Sequence, residues 1–210
     1  MKIMSAYLIN LLTLSLFWFF LLSTIFPKDP AQSPEINLSL KEQECLSLLK
    51  RCNSIEEFKR IHVHFIKFGL FWHSFCAGNL VATCALSDWG SMDYACSIFQ
   101  QIDDPGTFLF NTMIRGHVKG MNWGHGLRLY HEMLQRGVEP DNFTYPALLK
   151  ACSLLLALDD GMQIHGHIFK LGLQGDVFVQ NSLINMYGKC KEIGLSCAVF
   201  EQMLEKSVAS

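Results

Sequence analysis

The chain has 210 residues, half of them apolar, with 17 Lys and Arg against 19 Asp and Glu. That much apolar side chain excludes a disordered chain, and a net charge of −2 excludes a histone-like polycation but not a locally basic groove. Eight cysteines without any Cys-x-x-Cys are too few for a disulfide scaffold and suit reduced, buried thiols.

From Ile3 to Phe26 there are 24 uncharged residues, mostly Leu, Phe, Ile and Trp. As a helix they would span about 36 Å, enough to cross a bilayer core of ~30 Å. Residues 1–26 are therefore read either as a hydrophobic anchor or signal making membrane contact through residues 3–26, or as an incorrectly assigned first exon. They make a poor organellar transit peptide, which should be Arg- and Ser-rich. Residues 27–41, with Pro27, Pro30 and Pro34, read as a linker.

The remainder repeats. Ile61-His62-Val63-His64-Phe65-Ile66-Lys67-Phe68-Gly69-Leu70 returns as Ile164-His165-Gly166-His167-Ile168-Phe169-Lys170-Leu171-Gly172-Leu173, with six of ten positions identical. Leu48-Leu49-Lys50-Arg51-Cys52 returns as Leu148-Leu149-Lys150-Ala151-Cys152. Offsets of 103 and 100 residues fit three units of 31–36 residues each. Leu127, Tyr130, His131 and Leu134 follow i, i+3, i+4, i+7 spacing before Gly137 and Pro140 stop the helix. No sustained period-2 alternation appears. Residues 42–207 thus predict about ten short helices in five antiparallel pairs. One such pair cannot bury its own apolar face, but stacked pairs can.

This organisation resembles the plant pentatricopeptide repeat (PPR) family, in the subclass that alternates standard, long and short repeats. Phe110-Asn111-Thr112-Met113-Ile114 followed by Tyr130, Met133, Gly137-Val138 and Pro140-Asp141 resembles a standard repeat. Phe143-Thr144-Tyr145-Pro146 through Cys152 to His165 and Leu173 resembles a long one. Asp176 through Asn181-Ser182-Leu183 to Lys189-Cys190 resembles a short one. The resemblance implies an all-α, right-handed α-solenoid with units 42–73, 74–106, 107–141, 142–176 and 177–207. Another unit opens at 208, so the chain reads as a fragment. The first short unit carries about two extra residues around Ser87–Trp89, and Lys191 stands where a turn Gly is usual.

A separate reading comes from charge. The first helices of units two to five contain Arg115, Lys119, Lys150 and Lys189 and no acid, whereas Asp93, Glu132, Glu139, Asp159, Asp160, Glu192 and Glu201 lie in second helices and turns. In a stacked array that makes one face basic, the footprint of nucleic-acid backbone binding or merely a solvated surface.

The family resemblance implies one RNA base per unit, read by a residue near the start of the first helix and by the last residue of the unit. Carried over, those pairs are Asn111 with Asp141, Pro146 with Asp176, and Asn181 with Ser207. Gly78 and Leu46 at the same place read nothing. By the same resemblance Asn with Asp selects uracil over cytosine, and single-stranded RNA is the partner, positioned in a mitochondrion or chloroplast for editing or processing proteins. A protein–protein scaffold of the tetratricopeptide type is the alternative.

Other constellations point to packing. His62/His64 and His165/His167 are i, i+2 pairs that point to different sides of a helix and do not chelate one ion. Cys45/Cys52, Cys76/Cys84 and Cys190/Cys197 fall on single helical faces, as core residues do. No nucleophile elbow, phosphate loop, zinc-protease motif or deaminase signature is present, so no catalytic residue, metal or cofactor is expected. An apolar end face of Leu183, Tyr187, Phe200 and Met203 is expected on the last pair.

Overall fold

The computed structural model describes residues 35–208, and side chains from 40 to 203. Ten α-helices and one short 3-10 turn make up this part, with no strand among the described residues. In chain order they are α1 (Glu35–Arg51), α2 (Ile55–Lys67), the 3-10 turn Leu70–Trp72, α3 (Ser74–Leu86), α4 (Met92–Phe99), α5 (Thr107–Lys119), α6 (Trp123–Gln135), α7 (Thr144–Leu155), α8 (Leu158–Lys170), α9 (Val177–Lys189) and α10 (Ile193–Val208). Of the expected linker 27–41, residues 35–41 are helical, the opening turns of α1. The hydrophobic segment 1–26 lies outside the described residues. No described helix is long and apolar enough to cross a membrane.

Local chemistry sets the helix ends. Ser54 accepts the Glu57 amide and Ser91 accepts the Tyr94 amide, so each satisfies a donor that the first turn leaves unpaired. At the other end, Gly137 (φ +70°) and Gly172 (φ +71°) take the left-handed conformation. This lets the amide of Val138 reach the Met133 carbonyl and that of Leu173 reach Ile168, which closes both helices with Schellman-type bonds of 3.0 and 3.1 Å. The turns inside the last three pairs do the same without glycine. Met121, Leu156 and Lys191, each 35 residues from the next, sit at φ 59°, 54° and 65°.

The first helices carry the core. α5 packs between α3 and α7, and α7 between α5 and α9, while each also meets its own second helix. Hence α5 buries Leu109, Phe110, Met113, Ile114 and Val118, together with Asn111 and Thr112. Second helices bury one stripe only: Tyr130 and Met133 in α6, Ile164 and Ile168 in α8. Such an inner row of helices shared between neighbours is the packing of an α-solenoid, in which each pair completes the core of the next.

Two expectations are overturned by this packing. Leu183 and Tyr187 do not form an end face; they are 1% and 2% exposed, in one cluster with Tyr145, Leu148 and Cys152 of α7. Cys197 is exposed, although Cys45, Cys52, Cys76 and Cys84 are buried. The histidine pairs divide likewise. His62 is buried against the Tyr94 hydroxyl at 3.0 Å, and His165 bonds Tyr187 at 2.8 Å, whereas His64 is exposed.

Candidate nucleic-acid interface

An inner helix has one face left for solvent. Spacing of i, i+7 and i+11 returns to the same side of a helix, which aligns Phe108, Arg115 and Lys119 on α5, and Phe143 at the N-cap of α7 with Lys150 and Leu154. It likewise aligns Phe178, Asn185 and Lys189 on α9. These positions are exposed in the folded chain. Each stripe begins with a phenylalanine that folding leaves in water: Phe75 at 65%, Phe108 at 62%, Phe143 at 69% and Phe178 at 76% exposure. They recur 33, 35 and 35 residues apart, one per first helix. Such rings cost hydrophobic free energy where they stand, and a repeating row of them marks a contact surface. The sequence reading missed this row, since apolar residues at helical spacing look like core. The signal was their recurrence at one position of every unit.

Behind the row lies a hydrogen-bonded junction between α5 and α7. Asp141 precedes α7, and its Oδ1 accepts the amides of Phe143 (3.0 Å) and Thr144 (3.1 Å), which caps the helix. The same oxygen accepts Nδ2 of Asn111 at 2.9 Å. The Thr144 hydroxyl donates to Oδ1 of Asn111 at 2.7 Å and itself accepts the Asp141 amide at 3.0 Å. Asn111 and Asp141, paired on resemblance, are thus brought into direct contact, and Thr144 joins them. Asn111 is only 6% exposed.

The other pairs differ. Asp176 caps α9 by accepting the amides of Phe178 (2.9 Å) and Val179 (3.0 Å), but its second oxygen takes Nδ2 of Asn142 at 3.0 Å. That bond and the helix amides hold its carboxyl below the usual range. Asn142 is thus the side chain bonded to Asp176. Pro146 stands in the first turn of α7, where its missing N–H leaves no helical bond unmade. Asn181 is exposed, and the side chain of Ser207 lies outside the described residues. At Gly78 the site is closed: an added Cβ would lie 3.2 Å from the Phe108 ring.

All four expected cations are exposed, and Arg115, Lys150 and Lys189 line the stripes. Lys119 is committed elsewhere. Its Nζ donates to the Leu86 carbonyl (2.6 Å) and pairs with Asp88 (2.7 Å), in the turn that follows α3. That hydrogen bond and charge hold the Asp88 carboxyl below its ordinary value.

Stacked helix hairpins with a repeating exposed stripe define a helical-repeat protein. The repeats are of a known kind: residues 105–153 match the PPR repeat family and residues 181–208 match a PPR repeat. Pentatricopeptide repeat-containing protein At1g31920 of Arabidopsis thaliana is 60% identical over 87% of this chain, and the match covers 30% of that protein. At1g08070 and At2g02980 of the same plant, both named chloroplastic, are 34% and 36% identical over 86% and 81% of this chain, and over 25% and 28% of their own lengths. The chain therefore spans under a third of these relatives. The PPR domain of Arabidopsis thaliana protein-only RNase P 1, solved in complex with tRNA, shares the fold. The TM-score is 0.62 at 14% identity, over 83% of this chain and 91% of that one.

Proposed function

We propose that this chain is part of a plant PPR protein of the alternating standard–long–short subclass, and that it binds single-stranded RNA along the exposed stripes of its first helices. The observation that carries the reading is the exposed row Phe75, Phe108, Phe143 and Phe178, with Arg115, Lys150 and Lys189 two to three turns further along three of these helices. Aromatic faces stack on unpaired bases whatever their identity, and cations further along each helix meet phosphates. Asn111 with Asp141 is the base reader, favouring uracil. Pro146 with Asp176 is a weaker reader, and Asn181 with Ser207 is the reader of the last unit. The relatives named chloroplastic support an organellar transcript as target, with editing or processing proteins as partners.

The test is salt-dependent binding. Arg115→Gln, Lys150→Gln and Lys189→Gln together should weaken binding to all sequences alike. Each lost phosphate contact should reduce the log–log salt slope by roughly 0.7. An unchanged slope would leave these cations as surface charges only. The scaffold reading draws on a groove of about 310 Å³ between α6 and α8, lined by Leu127, Leu134, Ile164 and His167. It takes precedence if RNA of every sequence fails to bind.

A further inference from the structure

We infer that Thr144, which belongs to the helix pair after the reader, is the positioning residue that gives Asn111 its base preference. The inference rests on the reader role proposed for Asn111. An asparagine amide offers a donor end and an acceptor end, and its discrimination depends on which end faces the ligand. Here both ends are tied. The Nδ2 end is held by Asp141 at 2.9 Å and the Oδ1 end by Thr144 at 2.7 Å.

The Thr144 hydroxyl has one proton and two candidate acceptors. Asn111 Oδ1 lies at 2.7 Å and Asp141 Oδ1 at 3.0 Å, so the shorter bond to asparagine takes it. The Asp141 amide donates to the same hydroxyl oxygen at 3.0 Å, which turns that proton away from the backbone. The result is a closed cycle: Asp141 N–H to Thr144, Thr144 O–H to Asn111, and Asn111 N–H to Asp141.

The two anchors differ in burial. Thr144 is 0% exposed, whereas Asp141 is partly exposed. The acceptor end of the amide therefore points into the protein, and the donor end lies at the rim with its second N–H unused. A rim donor recognises a ring carbonyl, as on uracil, and repels the exocyclic amine that cytosine carries at that place. Without the Thr144 hydroxyl, Oδ1 would be a buried acceptor lacking its partner, which drives the amide to turn outward. The corresponding position after the next reader is Val179, so this lock belongs to one junction of the described residues.

The experiment compares the full chain with Thr144→Val and Thr144→Ser, using four RNAs that differ only at the base facing Asn111. Thr144→Val should cut the uracil-over-cytosine ratio by about three- to tenfold, the range of one hydrogen bond. Thr144→Ser should keep the ratio. Affinity for an RNA abasic at that position should be equal in all three proteins. A ratio that survives Thr144→Val overturns the inference while leaving the reader intact. A wild-type chain that binds RNA without any base preference overturns the reader itself, and the inference with it. Should Thr144→Val fail to fold, hydrogen exchange at the Asn111 side chain of the wild type decides. One slow and one fast Nδ2 proton is the expected result, and two fast protons overturn it.

Discussion

Nδ1 of His62 lies 3.0 Å from the hydroxyl of Tyr94, which ties α2 to α4 inside the first described core. Burial pushes His62 down to about 4 and Tyr94 up to about 12, because each would lose water on charging. The other ring nitrogen, Nε2, has no partner.

A histidine depressed in the folded state contributes fully above its unfolded value of ~6.5. The unfolded chain takes up the proton first as pH falls. Stability should therefore drop between about pH 6.5 and 4, by on the order of 3 kcal/mol, and level off below. His62→Gln should flatten that segment of a denaturant-midpoint profile recorded from pH 7 to 4. An identical slope in both proteins would remove His62 as its cause.

The turns at Met121, Leu156 and Lys191 hold side-chain-bearing residues at φ 59°, 54° and 65°. Glycine adopts this region without steric penalty, so each replacement by glycine should raise stability by about 0.5–1 kcal/mol. The three gains should add, since the turns are separate sites. Leu156→Gly should also remove a leucine that is 63% exposed. Thermal melting of the single and triple variants checks both points.

Gly90 stands in the turn between α3 and α4. A Cβ there would overlap the Cys84 carbonyl oxygen and lie 3.1 Å from that of Ser87. Both obstacles are backbone and cannot rotate aside. Gly90→Ala should cost about 3 kcal/mol and loosen α3 against α4. Amide exchange of the α4 helix, read beside the melting curve, shows whether the damage is local.

The last pair leaves Ile193, Leu195 and Phe200 at 61%, 39% and 49% exposure. Apolar side chains exposed together on one helix favour association. Sedimentation of the purified chain should show concentration-dependent self-association. Ile193→Lys with Phe200→Lys should return it to monomer.

Much of the fold was legible, because helical periodicity and glycine punctuation are local. The roughly ten short helices expected over 42–207 appear as ten α-helices among the described residues, with first helices such as Ser74–Leu86, Thr107–Lys119 and Val177–Lys189. What periodicity cannot show is which neighbour covers a stripe. Leu183 and Tyr187 therefore read as an end face, yet they fill the core against α7. Side-chain bonds between pairs were equally hidden: Lys119 with Asp88, Asn142 with Asp176, and Thr144 with Asn111. The pairing of Asn111 with Asp141 came from resemblance, and nothing in their 30-residue separation announces a 2.9 Å contact.

Asp141 lies between two helix pairs, where its carboxylate caps α7 and holds Asn111 of α5. A cloning seam between residues 141 and 142 would therefore join two proteins at their most interdependent point. Anyone shuffling these units as interchangeable cassettes should cut instead inside a hairpin, at the exposed Gly120–Asn122 turn. Every transplanted block would then carry its aspartate together with the threonine and the helix that depend on it.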